Sequence, residues 1–315
     1  MKISAIHYKL GARAETLADL CEINPEWQLQ RLVAKTGIVN RHVSGGEETP
    51  MGMAEEACMA LLENVDRTSI DSLIYVTQSP DSRIPTTACL LHERLQLAEQ
   101  CIAFDLNQGC SGFVYGLSMA TGLMASGQAN KCLLVCAESY SKYISPHDRT
   151  CRPIFSDGAS AVLLDGAAQG EIGPFVFSTD GAGAPNLTLR DNKSGDVVGD
   201  KVLFMNGPKV LEFTMVAVPN AVDVLLTKSN LEIHDIDLFV FHQASKVVLD
   251  RIEKRLAIDK NKLYRNYENV GNTVSATIPI ALQQAQEDGI LHPNMTILLM
   301  GFGVGYSLAG CIVRT

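Results

Sequence analysis

The chain contains an internal duplication, and this feature constrains its fold more than any other. Each half opens with an Ile-Asp dipeptide and a strand-like apolar run, at 70–78 and at 236–243. The same five elements follow in both halves: helices 86–97 and 246–257, strands ending at 109–110 and 271–272, helices 111–127 and 274–287, strands 131–138 and 295–303, and strands 159–166 and 306–315. Such an ordered series predicts two structurally equivalent halves.

The alternation of strands and helices predicts α/β units whose strands are largely parallel. The strands are almost continuously apolar, so helices should cover both faces of each sheet. Helix 111–127 is apolar on nearly all sides and is expected to be buried all round. We predict an α/β fold of five layers, α/β/α/β/α. Its two duplicated halves, 1–168 and 169–315, should be related by a pseudo-twofold axis.

The composition fits a globular protein with a large core. Of the 315 residues, 46% are apolar, yet we find no apolar stretch of the roughly 18–20 residues that a membrane span requires. No long apolar run follows the N-terminal lysine, so no signal peptide is predicted. We expect a soluble, cytoplasmic protein that binds no membrane. The net charge of −9 argues against binding to nucleic acid.

The nine cysteines are scattered along the chain. Most are expected to be small buried hydrophobic residues, as at Cys101, Cys132, Cys136 and Cys311. The sequence has no CxxC pair and no cysteine–histidine cluster of the kind that binds zinc or iron–sulfur groups. We therefore predict no metal site and no cofactor.

Three polar side chains stand where apolar runs end: Cys110, His242 and Asn272. The axis would place Cys110 and Asn272 opposite each other, because they occupy equivalent strand–helix corners. The helix N-terminus after Cys110 should lower the pKa of the thiol, and Gly109 and Gly112 should leave room for a substrate. His242 would pair with the thiolate or accept its proton, and Asn272 would donate to an oxyanion.

The loop Gly301–Gly305 is rich in glycine and follows a strand. It is expected to offer a backbone N–H to an acyl carbonyl, and it lacks the lysine and the serine or threonine of a phosphate-binding loop. Taken singly, these four features also fit a buried thiol, a core histidine, a helix cap and a tight turn. Together, at related element ends, they favour covalent chemistry on an acyl group.

Further motifs accompany these residues along nearly the whole chain. The full set is Lys35-Thr36-Gly37-Ile38, Gly109-Cys110-Ser111-Gly112-Phe113, Asp148-Arg149-Thr150, Phe155-Ser156-Asp157-Gly158-Ala159, His242-Gln243-Ala244, Gly271-Asn272-Thr273 and Gly301-Phe302-Gly303. With these motifs the chain resembles the ketoacyl-acyl carrier protein synthase III enzymes of the thiolase-like condensing fold.

The resemblance implies a ping-pong reaction without metal or organic cofactor. Cys110 would take an acyl group from a thioester, in an oxyanion hole formed by the backbone N–H groups of Cys110 and Val304. His242 and Asn272 would then donate to the carbonyl of a malonyl thioester while carbon dioxide leaves. The resulting enolate would attack the acyl-cysteine and give a β-ketoacyl thioester.

The resemblance also indicates residues that bind the thioester carrier: Arg31, Lys35, Arg149, Asn206, Gly207, Ser245 and Phe302. Several positions depart from the family pattern, among them the region of Lys246 and Val247, which lacks a usual arginine. Arg31 stands where a tryptophan stacks on the adenine of coenzyme A, and Ser245 and Pro208 each replace an asparagine. These changes leave open whether coenzyme A, acyl carrier protein or either one carries the donor.

Two surfaces are expected to bind other proteins. The helix after His242 carries basic residues that would dock an acidic acyl carrier protein: Lys246, Arg251, Lys254 and Arg255. The alternative is an ordinary solvated face, since Asp250 and Glu253 lie among them. Members of the family form homodimers in which a loop lines the acyl pocket of the other subunit. Here that loop contains Ile84, which fits a place in the local core equally well.

Three other functions are compatible with the sequence. The acyl group could pass from Cys110 to an alcohol or an amine without decarboxylation, in a secondary-metabolite or surface-sugar pathway. The chain could be a non-enzymatic partner subunit, although the retained Cys110 argues against this. A thiolase is disfavoured because Cys311 lies too far along the last strand to act as a second catalytic cysteine.

Overall fold

The computed structural model describes residues 1–195, 197 and 199–315. The elements of the first half are β1 (Lys2–Leu10), β2 (Arg13–Thr16), α1 (Leu17–Ile23), α2 (Leu29–Thr36), β3 (Asn40–Val43), α3 (Pro50–Leu61), β4 (Ser72–Val76), α4 (Thr87–Leu95), β5 (Ile102–Leu106), α5 (Gly112–Ala125), β6 (Lys131–Glu138) and β7 (Gly158–Asp165). Those of the second half are β8 (Glu171–Thr179), β9 (Leu187–Asp191), β10 (Lys201–Met205), α6 (Gly207–Ser229), β11 (Leu238–Phe241), α7 (Lys246–Leu256), α8 (Tyr267–Val270), α9 (Thr277–Glu287), β12 (Thr296–Gly303) and β13 (Ser307–Arg314).

Two mixed sheets share one internal order. The first sheet runs β1-β7-β6-β4-β5, and the second runs β8-β13-β12-β11. In both sheets the first two neighbouring pairs are antiparallel, whereas β6 with β4 and β12 with β11 are parallel. The second half therefore repeats the first. The proposed boundary between 168 and 169 falls between β7 and β8, and this division stays a prediction.

The helices separate and cover the two sheets. Helices α5 and α9 each contact both sheets and form the central layer. Helices α3 and α4 lie on the outer face of the first sheet, α6 lies on the outer face of the second, and α7 packs against α6. Clusters of buried apolar side chains fill the spaces between these layers. This arrangement confirms the predicted α/β/α/β/α fold.

The second strand predicted in the second half is not formed. Where the first half has β5, Leu263 makes only a single parallel bridge with Phe239. The buried side chain of Gln243 replaces the missing ladder, because its amide donates to two backbone carbonyl groups and accepts from the N–H of Asn266. The short helix α8 then leads the chain to Asn272.

Helix α5 is buried only along part of its length. Phe113 and Leu117 in its first turns are fully buried, whereas Met119 is 42% exposed. In the last turn Gly122 and Ala125 are exposed, whereas Leu123 and Met124 still pack against the core. The prediction that this helix is buried all round was therefore wrong for its C-terminal part, one side of which is open to solvent.

Helix α6 corrects the expectation that no apolar stretch is long enough to span a membrane. Within the described residues it is the one helix that is long enough and apolar enough to cross a membrane, with 23 residues and a mean hydropathy of 1.5. One of its faces, which includes Val218, Val222 and Leu225, packs into the apolar cluster beneath the second sheet. A long helix that covers a sheet in a globular protein meets the same two criteria.

Candidate active site

Cys110 lies in the corner between β5 and α5, with 5% of its surface exposed. Two glycines of β12 lie directly against it. A Cβ atom at Gly301 would stand 2.4 Å from the carbonyl oxygen of Cys110, and one at Gly303 would stand 2.9 Å from its Sγ. The end of β12 can approach the thiol only because these positions have no side chain.

Gly109 and Gly112 do not leave room for a substrate, contrary to expectation. A Cβ atom at Gly109 would lie 2.5 Å from Oε1 of Gln78 and 2.6 Å from Cγ1 of Val304. One at Gly112 would lie 2.5 Å from Cγ1 of Val76. Protein atoms already fill this space, so the two glycines serve the close packing of the strand–helix corner.

The thiol of Cys110 is protonated at neutral pH. Burial, together with the negative charge of Glu138, raises its pKa to about 12. The backbone N–H groups of Val304 and Cys110 donate to the sulfur and act in the opposite direction. The prediction of a lowered thiol pKa was therefore wrong for the resting site. The sulfur needs a base that takes its proton when it attacks.

His242 directly follows β11 and is 2% exposed. Its Nε2 lies 3.4 Å from Nδ2 of Asn272, and its Nδ1 lies 2.7 Å from Oγ1 of Thr277. Burial lowers the pKa of His242 to about 3, so the imidazole is neutral. The buried ring of Phe302 meets it edge to face, with 5.6 Å between ring centroids. Because Phe302 lies between the two glycines that touch Cys110, the imidazole and the thiol share the end of β12.

Asn272 is held in a fixed orientation by its neighbours. Its backbone N–H donates to the carbonyl of Ile154 at 3.0 Å, and its carbonyl accepts from the N–H of Ser156 at 2.9 Å. Its Oδ1 accepts from the N–H of Val274 at 2.9 Å, which leaves Nδ2 facing the imidazole as a donor. Val274 itself packs in one apolar cluster with Cys110. A thiol, an imidazole and a carboxamide therefore meet around the end of β12.

Family models match two parts of the chain. Residues 104–181 match 3-oxoacyl-[acyl-carrier-protein (ACP)] synthase III, and residues 226–315 match the C-terminal region of the same family. A beta-ketoacyl-[acyl-carrier-protein] synthase III from Streptococcus agalactiae serotype III (strain NEM316) is 34% identical over 308 residues, covering 95% of this chain and 94% of that protein. The chain belongs to the beta-ketoacyl-[acyl-carrier-protein] synthase III family.

Solved structures agree with this assignment. A crystal structure of a 3-oxoacyl-(acyl-carrier-protein) synthase III is 41% identical, with a TM-score of 0.93 and 99% coverage of both chains. The beta-ketoacyl-[acyl carrier protein] synthase III of Thermus thermophilus is 31% identical, with a TM-score of 0.92, and the match covers 100% of this chain and 99% of that one. Family membership confirms the predicted thiolase-like fold and enzyme class, an acyltransferase of the β-ketoacyl synthase III type.

Three cations predicted to bind the carrier are exposed on adjacent segments of this synthase III family member. Arg31 and Lys35 lie one turn apart on α2, and Arg149 lies on the loop between β6 and β7. Helix α1 packs against α2, and Asn24, which ends α1, links it to this loop because its Nδ2 donates to the carbonyl of Pro146 at 3.2 Å. The three positive charges therefore face solvent in one region of the surface.

The other predicted carrier-binding residues lie deeper. Ser245 is 5% exposed and directly precedes α7. Asn206 caps α6, and Gly207 is the first residue of that helix, where a Cβ atom would meet nothing within 4 Å. One turn later, Val210 packs against the apolar cluster that contains Cys110. The start of α6 is therefore close to the nucleophile.

The basic residues predicted to dock a carrier protein are all exposed on α7: Lys246, Arg251, Lys254 and Arg255. Lys246 pairs with Asp250, and Arg265 pairs with Glu253. The acidic residues of this helix are thus partly neutralised. In the part of the chain that the structure describes, the other three basic residues of α7 form no ion pair.

Ile84 is 91% exposed. The alternative that it belongs to the local core is therefore wrong. Burying this side chain against a second subunit would remove apolar surface from water, which is favourable. Its predicted place in the acyl pocket of a partner subunit stays a prediction.

Sequence reasoning missed two buried residues of the site. Thr277, at the start of α9, holds Nδ1 of His242, and a hydroxyl residue at a helix start is its only sequence signal. Glu138 ends β6 and accepts from the hydroxyls of Ser79 at 2.7 Å and Ser275 at 3.1 Å. Burial raises the pKa of Glu138 to about 7. A charged residue that ends an apolar run was a signal that could have found it.

Proposed function

We propose that this chain loads an acyl group from an acyl thioester onto Cys110. It then condenses that group with malonyl-acyl carrier protein, with loss of carbon dioxide, to give a β-ketoacyl thioester. The observation that carries the proposal is the pair formed by Nε2 of His242 and Nδ2 of Asn272, 3.4 Å apart. Two groups so placed, beside the strand end that contacts the thiol, suit the stabilisation of an enolate oxygen.

Loading starts from a neutral thiol and a neutral imidazole. The S–H proton of Cys110 passes to Nε2 of His242 while the sulfur attacks the thioester carbonyl. The backbone N–H groups of Cys110 and Val304, which already point at the sulfur, stabilise the oxyanion. The carrier thiolate leaves, takes the proton back from the imidazolium and departs as a free thiol.

Condensation begins when the bond between the malonyl carboxylate and its methylene carbon breaks. Carbon dioxide leaves, and the electron pair forms an enolate whose oxygen accepts from Nε2–H of His242 and Nδ2–H of Asn272. The enolate carbon attacks the acyl-cysteine carbonyl, the bond to Sγ of Cys110 breaks, and the sulfur takes up one proton from solvent. These steps need neither a metal nor an organic cofactor.

The two steps require different tautomers of His242, and Thr277 supports both. Its Oγ1 lies 2.7 Å from Nδ1 of His242 and 3.1 Å from the carbonyl of Val274. When the hydroxyl donates to Val274, it accepts from Nδ1–H and leaves Nε2 free to act as a base. When the hydroxyl donates to Nδ1, Nε2 carries the hydrogen that condensation needs. Thr277 is therefore a positioning residue.

The carrier of the donor is coenzyme A or acyl carrier protein. Arg31, Lys35 and Arg149 suit the phosphate groups of coenzyme A, and Asn206, Gly207, Ser245 and Phe302 suit the pantetheine arm. The basic face of α7 suits an acidic carrier protein. We also propose a cytoplasmic homodimer in which Ile84 reaches the acyl pocket of the partner.

One experiment separates this function from acyl transfer to an alcohol or an amine. The enzyme is incubated with an acyl thioester and malonyl-acyl carrier protein, and intact mass and carbon dioxide release are recorded. We expect acylated Cys110 and one carbon dioxide for each β-ketoacyl product. Acylation without carbon dioxide release would favour the alternative, which the names of the relatives support less. Failure of every thioester to acylate Cys110 would contradict both.

The docking surface has its own test. Lys254→Glu combined with Arg255→Glu should raise KM for carrier-linked malonate about tenfold and leave KM for malonyl-coenzyme A unchanged, because only the protein substrate meets α7. The matched control is Lys2→Glu with Lys193→Glu, an equal charge change at two exposed lysines elsewhere. Equal effects on both substrates, or an equal effect of the control, would refute docking at α7.

A further inference from the structure

A cavity of about 320 Å³ lies beside the nucleophile, between the end of β4, the segment after β6 and the β9–β10 hairpin. Val304 lines this cavity, and its backbone N–H donates to Sγ of Cys110. Gln78 also lines it, with its amide packed against Gly109, the residue before the nucleophile. The residues proposed to bind the carrier on α2 and α7 do not line it. Its position therefore suits the acyl group.

The wall of this cavity is only partly apolar. Leu187, Leu189 and Leu203 form one side. The polar residues that line it are Gln78, Asn107, Tyr140, Tyr143 and Thr188. None of the described residues that line the cavity is charged. A purely aliphatic acyl group would cover this polar wall without offering it a partner, and buried polar groups that lose their partners are costly.

A hydrogen-bonded row runs across the polar side. The hydroxyl of Tyr140, a residue that is 6% exposed, donates to Oε1 of Gln78 at 2.7 Å. Nε2 of Gln78 donates one hydrogen to Oδ1 of Asn107 at 3.1 Å. The row leaves lone pairs on the Tyr140 oxygen, a second N–H on Gln78 and the amide hydrogens of Asn107 for a ligand. It thus offers an acceptor and donors side by side.

We propose that the acyl donor of this enzyme carries a hydroxyl group, which binds in this cavity between Tyr140 and Gln78. A hydroxyl both accepts and donates, so it satisfies the amide N–H of Gln78 and the lone pair of Tyr140 together. A ketone satisfies only the amide. A carboxylate would find no cation on the wall and would stand near the buried carboxyl of Glu138, whose oxygens bind the backbone N–H of Gln78.

This inference rests on the proposed function, because it specifies the donor that Cys110 accepts. A site built to hydrogen-bond a substrate hydroxyl rejects the analogue without it by at least about tenfold, since its own polar groups are left unpaired. We expect this discrimination in the rate at which Cys110 is acylated.

The test compares coenzyme A thioesters of butyrate, of 2-, 3- and 4-hydroxybutyrate and of acetoacetate. Acylation of Cys110 is followed by intact-protein mass, and kcat/KM is determined for each donor. One hydroxybutyrate should exceed butyrate by at least about tenfold. Tyr140→Phe and Gln78→Met, which keep the side-chain volume, should each bring that ratio close to one. Tyr115→Phe, whose ring packs on Phe177 away from this cavity, should keep the ratio.

Several results would overturn the inference. If butyrate or acetoacetate matches or exceeds every hydroxybutyrate, the polar wall does not select a hydroxyl, and the proposed function stands alone. A hydroxyl preference that survives in both Tyr140→Phe and Gln78→Met would also refute it. If none of the five donors acylates Cys110, the proposed function falls and this inference falls with it.

Discussion

Strands β6 and β12 occupy equivalent places in the two halves but end differently. Each has eight residues and pairs at its last residue with the start of the next strand. β6 ends in Glu138, which accepts a hydrogen bond from Ser275 in the corner of Asn272. β12 ends in Gly303, which lies against the sulfur of Cys110. Each half therefore contacts the strand–helix corner that the other half contributes to the proposed site.

The shared positions of β6 and β12 follow from the duplication, whereas their different last residues, Glu138 and Gly303, arose by divergence of the two halves. Duplication places two strand ends and two strand–helix corners around one axis. Gly303 at the end of β12 allows contact with Cys110, and Glu138 at the end of β6 holds the loop of Asn272 through a hydroxyl group. We therefore expect substitutions in the two corners to damage different steps of the reaction.

The largest expected effect comes from the two corners themselves. Cys110→Ala should abolish acylation at the site in intact-protein mass spectra, because the thiol that forms the thioester is removed. Asn272→Ala should acylate at a rate within about threefold of the wild type, but its condensation rate should fall about 100-fold, as expected for a lost oxyanion donor. If Asn272→Ala slows acylation as much as condensation, the two corners do not divide the reaction in this way.

The protonated thiol of Cys110, which lies against Gly303 at the end of β12, gives the second prediction. With a pKa of about 12, Cys110 should be alkylated by iodoacetamide at a rate that rises about a thousandfold from pH 6 to pH 9, without a plateau, since the thiolate is the nucleophile. Peptide mapping follows the reaction, with the exposed Cys89 as an internal check of the reagent. A pH-independent rate that is lost in His242→Ala would instead indicate a thiolate–imidazolium pair.

Glu138, at the end of β6, gives a prediction for the stability of the protein. Well below pH 4.5 Glu138 is protonated in both states, and as the pH rises towards 7 the unfolded chain loses this proton, whereas the folded protein loses it only as the pH passes about 7. Its contribution to stability should therefore fall by about 3 kcal/mol, about 100-fold in the unfolding constant. The free energy of unfolding of Glu138→Gln, relative to wild type, should rise by this amount across that range. The exposed Glu63→Gln is the control. If the free energy of unfolding of Glu138→Gln, relative to wild type, changes with pH no more than that of Glu63→Gln, the raised pKa of Glu138 is contradicted.

The order of strands and helices and the three reactive side chains could be predicted from the sequence, because both follow from patterns of neighbouring residues. The third strand of the first half was predicted at 131–138 and is formed over those residues. Contacts between distant segments that the duplication does not relate could not be predicted. The proximity of Glu138 to Cys110 and the burial of the thiol reverse the expected direction of its pKa shift. Gln243 replaces a whole predicted strand by binding backbone groups.

The smallest effect concerns Thr277, which joins the two corners through the imidazole. Thr277→Val keeps the shape of the side chain but leaves Nδ1 of the buried His242 without a partner, so acylation and condensation should both slow about tenfold. Thr277→Ser retains the hydroxyl and should restore both rates. A purely structural role would instead lower both rates in proportion to the loss of thermal stability, in the serine variant as well as in the valine variant. If the valine variant turns over at the wild-type rate, the hydroxyl does not set the tautomer of His242.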